Sequence, residues 1–170
     1  KVKNIYFMGV GGTGMAAVAG LCQQKGMSVS GSDGTLYPPT STLLEDLGVQ
    51  VHSPYAPENL DAASPDLVIV ANALSRGHPE LEAMLERGIP YTSFPELLGR
   101  MFLQENCSVT VTGTHGKTTT TSLVSVVLEN LQETPGFFIG GVPKNFNKSF
   151  EQGGGKVFVL EGDEYDTAFF

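Results

Sequence analysis

The chain has 170 residues, 41% hydrophobic and 16% charged, which is enough for one large domain, or one and a half small ones, around a real core. A formal net charge of −8 argues against the basic face of a nucleic-acid-binding protein. It leaves room for a small anion held by backbone N–H groups, which carry no formal charge.

Taken in order, residues 4–10, NIYFMGV, are an apolar run bounded by glycine and read as a buried strand. Met15, Val18, Ala19 and Cys22 then recur at helical spacing, with Gly26 where a C-terminal cap belongs. SVSGSD, ending at Asp33, is a second strand. TSTLLEDLG is a helix with Leu43, Leu44 and Leu47 on one face and Gly48 as its stop. VQV is a third strand and PDLVIVANA a fourth. HPELEAMLERG is a helix with Pro79 at its first position, and IPYTS is a fifth strand. This alternation predicts an α/β fold with a Rossmann-like parallel sheet.

FPELLGRMFLQENC adds one more helix and a polar break at 104–106, which sets the predicted domains at 1–105 and 106–170. The pattern then restarts. A strand, SVTVTG, is followed by a phosphate-type loop and a helix over 117–131. A strand GFFIGG, a loop 142–155 and a strand KVFVLEGDE complete the order. This second unit reads as the start of a P-loop-type α/β domain, cut short, so the chain is expected to be part of a longer protein. Cys22 and Cys107 sit in apolar contexts and are expected to be buried, with no paired metal spacing. No apolar run is long enough to span a bilayer, and no signal-peptide pattern opens the chain. A reduced, cytoplasmic setting is expected, with no membrane partner.

The stretch MGVGGTGM contains G-x-G-x-x-G as Gly9, Gly11 and Gly14, after a strand and opening a helix. Glycines let the backbone approach a diphosphate, and the helix N-terminus favours its charge. The loop 9–15, including Gly12, Thr13 and Met15, is therefore a candidate site for a diphosphate-linked nucleotide. Asp33, about twenty residues on at a strand end, suits a ribose hydroxyl. NAD, NADP, FAD and UDP-sugars all fit this motif. Asn72, Ser75 and Arg76 follow the fourth strand, where open α/β sheets bind ligands, and are candidates for phosphate or sugar contact.

A second loop, VTGTHGKTTTTS, resembles the phosphate loop G-x-x-x-x-G-K-[ST] but has Val111 where the first glycine belongs. The shorter loop Gly113, Thr114, His115, Gly116, Lys117, Thr118, Thr119 keeps the backbone cradle, the lysine for β- and γ-phosphates, and a threonine hydroxyl for Mg²⁺. A lysine at a positive helix end is unfavourable without an anion, which favours a nucleoside triphosphate, ATP. VLEGDEYD then places Glu161, Asp163, Glu164 and Asp166 at the end of the next strand. Glu161, directly after the apolar run, is the first choice for a Mg²⁺ ligand beside Thr118.

The run 9–15, the loop TGTHGKTTT and EGDEYD together resemble the Mur ligases of peptidoglycan synthesis. That resemblance implies a Rossmann-like domain holding the UDP part of UDP-N-acetylmuramate and a central domain holding ATP on a G-T-x-G-K-T loop. The deviant glycine spacing is then expected. His115 points to members that act on the bare muramoyl carboxylate. SDGTLYPPTSTLLE, NALSRGHPELEAML, GIPYTSFPELL and GGVPKNF resemble the branch that adds a whole peptide rather than L-alanine. The implied reaction phosphorylates the carboxylate, and a peptide or amino-acid amine displaces the phosphate. Lys117 and Glu161 take the catalytic roles, and Lys144 and Asn145 are expected to touch the muramoyl part. The resemblance also implies a fragment that binds the UDP substrate but does not turn over by itself, and a monomer or weak dimer is expected. Two rival readings are a nicotinamide-dependent oxidoreductase using only the first loop, and a nucleotide-sensing module without catalysis.

Overall fold

The computed structural model describes residues 2–162. By its internal contacts the chain divides into two compact units, Lys1–Phe94 and Pro95–Phe170.

In the first unit β1 (Asn4–Met8) is central, with β2 (Ser28–Ser32), β3 (Gln50–His52), β4 (Leu67–Val70) and β5 (Tyr91–Thr92) around it. The order is β3-β2-β1-β4-β5 and every pairing is parallel. A central parallel strand is covered on both faces. Ile5, Tyr6, Phe7 and Met8 are accordingly all buried, which is why β1 reads as a continuous apolar run. The order reverses between β1 and β4, and at such a switch point the loops leaving the two strands part to form a crevice. Helices α1 (Thr13–Gln24), α2 (Thr40–Asp46) and α4 (Pro79–Glu86) connect the strands as the sequence predicts.

A further helix, α3 (Pro57–Ala63), lies in a stretch that the periodicity leaves unassigned. It buries only Leu60, so it shows no repeat, although Pro57 at its start and Glu58 in its first turn are start signals. In α1 the expected stripe widens, because every residue from Met15 to Cys22 is buried.

The single helix predicted ahead of the break at 104–106 is two elements, α5 (Phe94–Leu98) and a π-helical turn, Gly99–Leu103, and from Pro95 on it belongs to the second unit. That turn buries Phe102 beside Phe158, with ring centroids 5.9 Å apart. The second sheet has the order β6-β9-β7-β8. Strands β6 (Cys107–Val111), β9 (Val157–Glu161) and β7 (Gly136–Phe138) run parallel, and β8 (Phe150–Glu151) pairs antiparallel to β7. β8 falls inside the predicted loop because a two-residue edge strand leaves no alternation to read. Phe137, Ile139 and Val159 form the core against α6 (Lys117–Asn130) through Val124 and Leu128. Cys22 is buried as expected, but Cys107 is exposed at the start of β6.

Candidate functional site

The first glycine loop leaves β1 at the switch point. Gly9 has φ +89°, and its N–H donates to the Ser32 carbonyl at 2.8 Å, with Val10 N–H on the same oxygen at 3.1 Å. Gly12 caps α1 in an extended conformation, and Thr13, Gly14 and Met15 form the helix's first turn. The loop is thus tied to the end of β2 before any ligand is considered. Asp33 lies beside that end and binds the loop directly. Its Oδ2 accepts the Gly11 N–H at 2.6 Å, and its Oδ1 accepts the Gly34 N–H at 2.7 Å and the Tyr55 hydroxyl at 3.3 Å. Burial, then the Asp33 carboxylate, pushes the Tyr55 hydroxyl up to about 12. The Tyr55 ring also stands edge-on to His78 at 4.6 Å.

Asn72, Ser75 and Arg76 lie exposed on the connection from β4 to α4. The same connection is fastened by the Gly77 N–H on Glu82 and by His78, whose ring caps α4 by accepting the Leu81 N–H. Asn145 lies exposed in the second unit, in a turn where the Pro143 carbonyl accepts Phe146 and Asn147 N–H groups.

The second loop leaves β6 and enters α6. Gly116 is the N-cap in the left-handed region, φ +74°, and has no side chain to satisfy the first-turn N–H groups. Helix starts of this kind attract anions. Lys117 curls back, its Nζ donating to the Gly113 carbonyl at 2.8 Å, while His115 Nδ1 and Thr114 Oγ1 are 3.2 Å apart. Thr119 is exposed in the first turn.

Strand β9 lies next to β6, with Val111 opposite Glu161, so the β9 end places a carboxylate beside the start of α6. The Thr118 hydroxyl donates to Glu161 Oε1 at 2.7 Å, and the Gly140 N–H donates to Oε2 at 2.7 Å. Glu161 is buried, and Thr118 is exposed. A hydroxyl and a carboxylate are hard oxygen donors. They suit Mg²⁺, which binds one or two carboxylates and leaves the rest of its shell to phosphate and water. Among the described residues no three His, Cys, Asp or Glu side chains gather as a metal cage. Asp163, Glu164 and Asp166 lie outside the described residues.

Comparison with known proteins now decides the family. The Mur ligase family, catalytic domain, matches residues 4–106. The chain belongs to the Mur ligase family. It is 47% identical over 167 residues to the UDP-N-acetylmuramate–L-alanyl-gamma-D-glutamyl-meso-2,6-diaminoheptandioate ligase of Escherichia coli (strain K12), covering 98% of this chain and 36% of that protein. It is 37% identical over 171 residues to the UDP-N-acetylmuramate–L-alanine ligase of Nitrosomonas eutropha, covering 99% of this chain and 35% of the relative. The solved structure of UDP-N-acetylmuramate:L-alanyl-gamma-D-glutamyl-meso-diaminopimelate ligase from Neisseria meningitides superposes with a TM-score of 0.91 at 42% identity. That superposition covers 100% of this chain and 55% of the solved one. The chain spans about a third of the length of the curated relatives it matches.

The Mur ligase chain therefore ties Gly9 to Ser32 and Gly11 to Asp33 at the end of β2, and Thr118 to Glu161 at the end of β9. Sequence reasoning missed Tyr55, Gly140 and Glu80. Glu80 is wholly buried although it stands in the first turn of α4, where an acid reads as a solvated partner of the helix dipole. Tyr55 had no signal, since its hydroxyl meets Asp33 only through the fold.

Proposed function

We propose that the chain carries the substrate-binding and ATP-binding loops of an ATP-dependent ligase. The reaction joins L-alanyl-γ-D-glutamyl-meso-diaminopimelate to the muramoyl carboxylate of UDP-N-acetylmuramate, in peptidoglycan recycling. The observation that carries the reading is the Thr118–Glu161 pair behind a Gly116–Lys117 helix start, since a phosphate cradle with a hard-oxygen pair is what phosphoryl transfer needs. The family adds the substrate class, and the 47% likeness to the peptide-adding relative favours a peptide over L-alanine. The loop 9–15 would hold the UDP diphosphate, with Asp33, Asn72, Ser75 and Arg76 around the nucleotide; Lys144 and Asn145, in the second unit, are proposed by the resemblance alone as contacts of the muramoyl part. A cytoplasmic setting fits two free cysteines. Among the described residues no helix is long and apolar enough to cross a membrane. We place the chain as a monomer or weak dimer with no nucleic-acid or membrane partner.

The chemistry balances in two steps. A muramoyl carboxylate oxygen attacks the γ-phosphorus of ATP and ADP leaves, giving an acyl phosphate. The peptide amine then attacks the carbonyl, loses its proton and expels inorganic phosphate. Lys117 neutralises charge on the transferring group, and the α6 first-turn N–H groups orient it. Mg²⁺, held by Thr118 and Glu161, would neutralise the phosphate oxygens when bound.

Calorimetric titration of the chain with UDP-N-acetylmuramate tests the first loop. Saturable binding that UDP displaces and NAD does not is the expected result, and NADH binding in its place would make the chain an oxidoreductase domain instead. In a full-length enzyme, Lys117→Ala should lower ligation by about 10²–10³-fold or more while leaving UDP-substrate affinity within about threefold. Undiminished ligation would remove Lys117 from the reaction. L-Alanine used in preference to the peptide would move the enzyme to the alanine-adding branch, for which the 37% relative stands.

A further inference from the structure

Behind the first glycine loop stands a carboxylate with no exposure to solvent. Glu80, on α4, is 0% exposed and accepts hydrogen bonds from donors on different elements. Its Oε1 accepts the Tyr6 hydroxyl of β1 at 2.6 Å and the Ser32 hydroxyl of β2 at 2.7 Å. Its Oε2 accepts the Ala56 N–H at 2.9 Å and an Asn59 amide N–H at 3.4 Å, both at the start of α3. A buried carboxylate survives only with such a full set of donors.

Two of these partners lead to the loop. Ser32 is the residue whose carbonyl accepts Gly9 and Val10 N–H. Ala56 follows Tyr55, whose hydroxyl reaches Asp33, and Asp33 holds the Gly11 N–H. The loop's backbone is therefore held at Ser32 and Asp33, neighbours at the end of β2, by two chains of contacts that meet on one carboxyl group.

We propose that Glu80 is a positioning residue for the nucleotide-sugar diphosphate, fixing the 9–12 backbone through Ser32 on one side and through Ala56, Tyr55 and Asp33 on the other. The inference rests on the reading of that loop as the UDP-substrate site. Glu80 touches no ligand and acts only by setting where the loop N–H groups point. A glutamine should substitute well. Its oxygen can take the Ala56 N–H while its amide donates to the Tyr6 and Ser32 hydroxyl oxygens, which have lone pairs to accept. A methionine of similar length keeps the volume but offers no acceptor oxygen.

The test compares Glu80→Gln, Glu80→Met and Met84→Ala in this chain, by calorimetry with UDP-N-acetylmuramate and by thermal unfolding. Met84 is a buried core residue one turn along α4 that packs in the same cluster as Tyr6 but makes none of these hydrogen bonds, so it controls for lost packing and stability. Glu80→Gln should bind within about threefold of the unsubstituted chain, and Glu80→Met should lose about tenfold or more while still folded. Met84→Ala should keep its affinity at a similar loss of melting temperature. Should Glu80→Met not fold, Ser32→Ala cuts one arm alone and should weaken binding about fivefold or more. Wild-type affinity in a folded Glu80→Met or in Ser32→Ala, or an equal loss in Met84→Ala, would overturn the proposal. A chain that fails to bind UDP-N-acetylmuramate before any substitution would overturn the substrate reading itself, and the proposal with it.

Discussion

A methyl group added at Gly9 would lie 2.6 Å from Ala71 Cβ, whereas one added at Gly116 would meet nothing within 4 Å. The two positions share a backbone requirement, φ +89° and +74°. They also share a place in the fold, between the C-terminal end of a parallel strand and a helix. What differs is the backing. The first loop is pressed against the neighbouring strands and tied to Ser32 and Asp33, so its shape is set by the interior. The second stands in solvent, with Lys117 on the Gly113 carbonyl and Thr118 on Glu161 at the end of β9. One loop is tied to its neighbours without any ligand. The other keeps its lysine and threonine on contacts that a phosphate and a cation can replace.

Substitution at the two glycines tests this contrast, with the larger effect at Gly9. Gly9→Ala combines left-handed strain with a collision against Ala71 Cβ, which has no flexible end to swing away. It should destabilise the first unit by about 2–5 kcal/mol and remove UDP-substrate binding. Gly116→Ala meets only strain and should cost about 1–2 kcal/mol in the second unit. Urea unfolding reads both. Equal losses at the two positions would break the contrast, because crowding at Gly9 would then contribute nothing.

The same difference governs what the amino-acid sequence reveals. Loop composition, strand ends and the order of elements around β1 are local properties, so the sheet, the two loops and the pairing of Thr118 with an acid after VFVL are legible. The Glu80 centre is not. Tyr6, Ser32, Ala56 and Glu80 lie far apart in the chain, and each has an ordinary local reading: a core aromatic, a strand serine, a helix start, a first-turn acid. Only the parallel register that sets Met8 against Ser32 and Val70 gathers the strand ends over α4. The helix α3 and the strand β8 escape for the opposite reason, since elements that bury a single large residue carry no period.

The smallest predicted effect lies at the edge of the first loop, where Tyr55 donates to Asp33 across 3.3 Å. Tyr55→Phe should lower stability by about 0.5–1.5 kcal/mol near neutral pH. Its pH dependence is the sharper signature. Burial first, and the Asp33 carboxylate second, push the hydroxyl from its ordinary 10.0 up to about 12. A group whose folded pKa is raised resists ionisation in the native state but not in the unfolded chain. Its contribution is therefore complete below the unfolded value and drains away as pH rises from there through the folded one. The phenylalanine variant has no proton to lose at that position. The stability difference between parent and variant should thus be steady up to about pH 9 and shrink between about pH 10 and 12. Tyr6, whose hydroxyl is also raised by burial, titrates in both proteins and cancels in the subtraction. A difference that stays constant to alkaline pH would mean that neither burial nor the Asp33 carboxylate raises the Tyr55 hydroxyl. The tie from α3 to the glycine loop would then be packing alone, and the first loop would stand nearer to the second than its crowded glycines suggest.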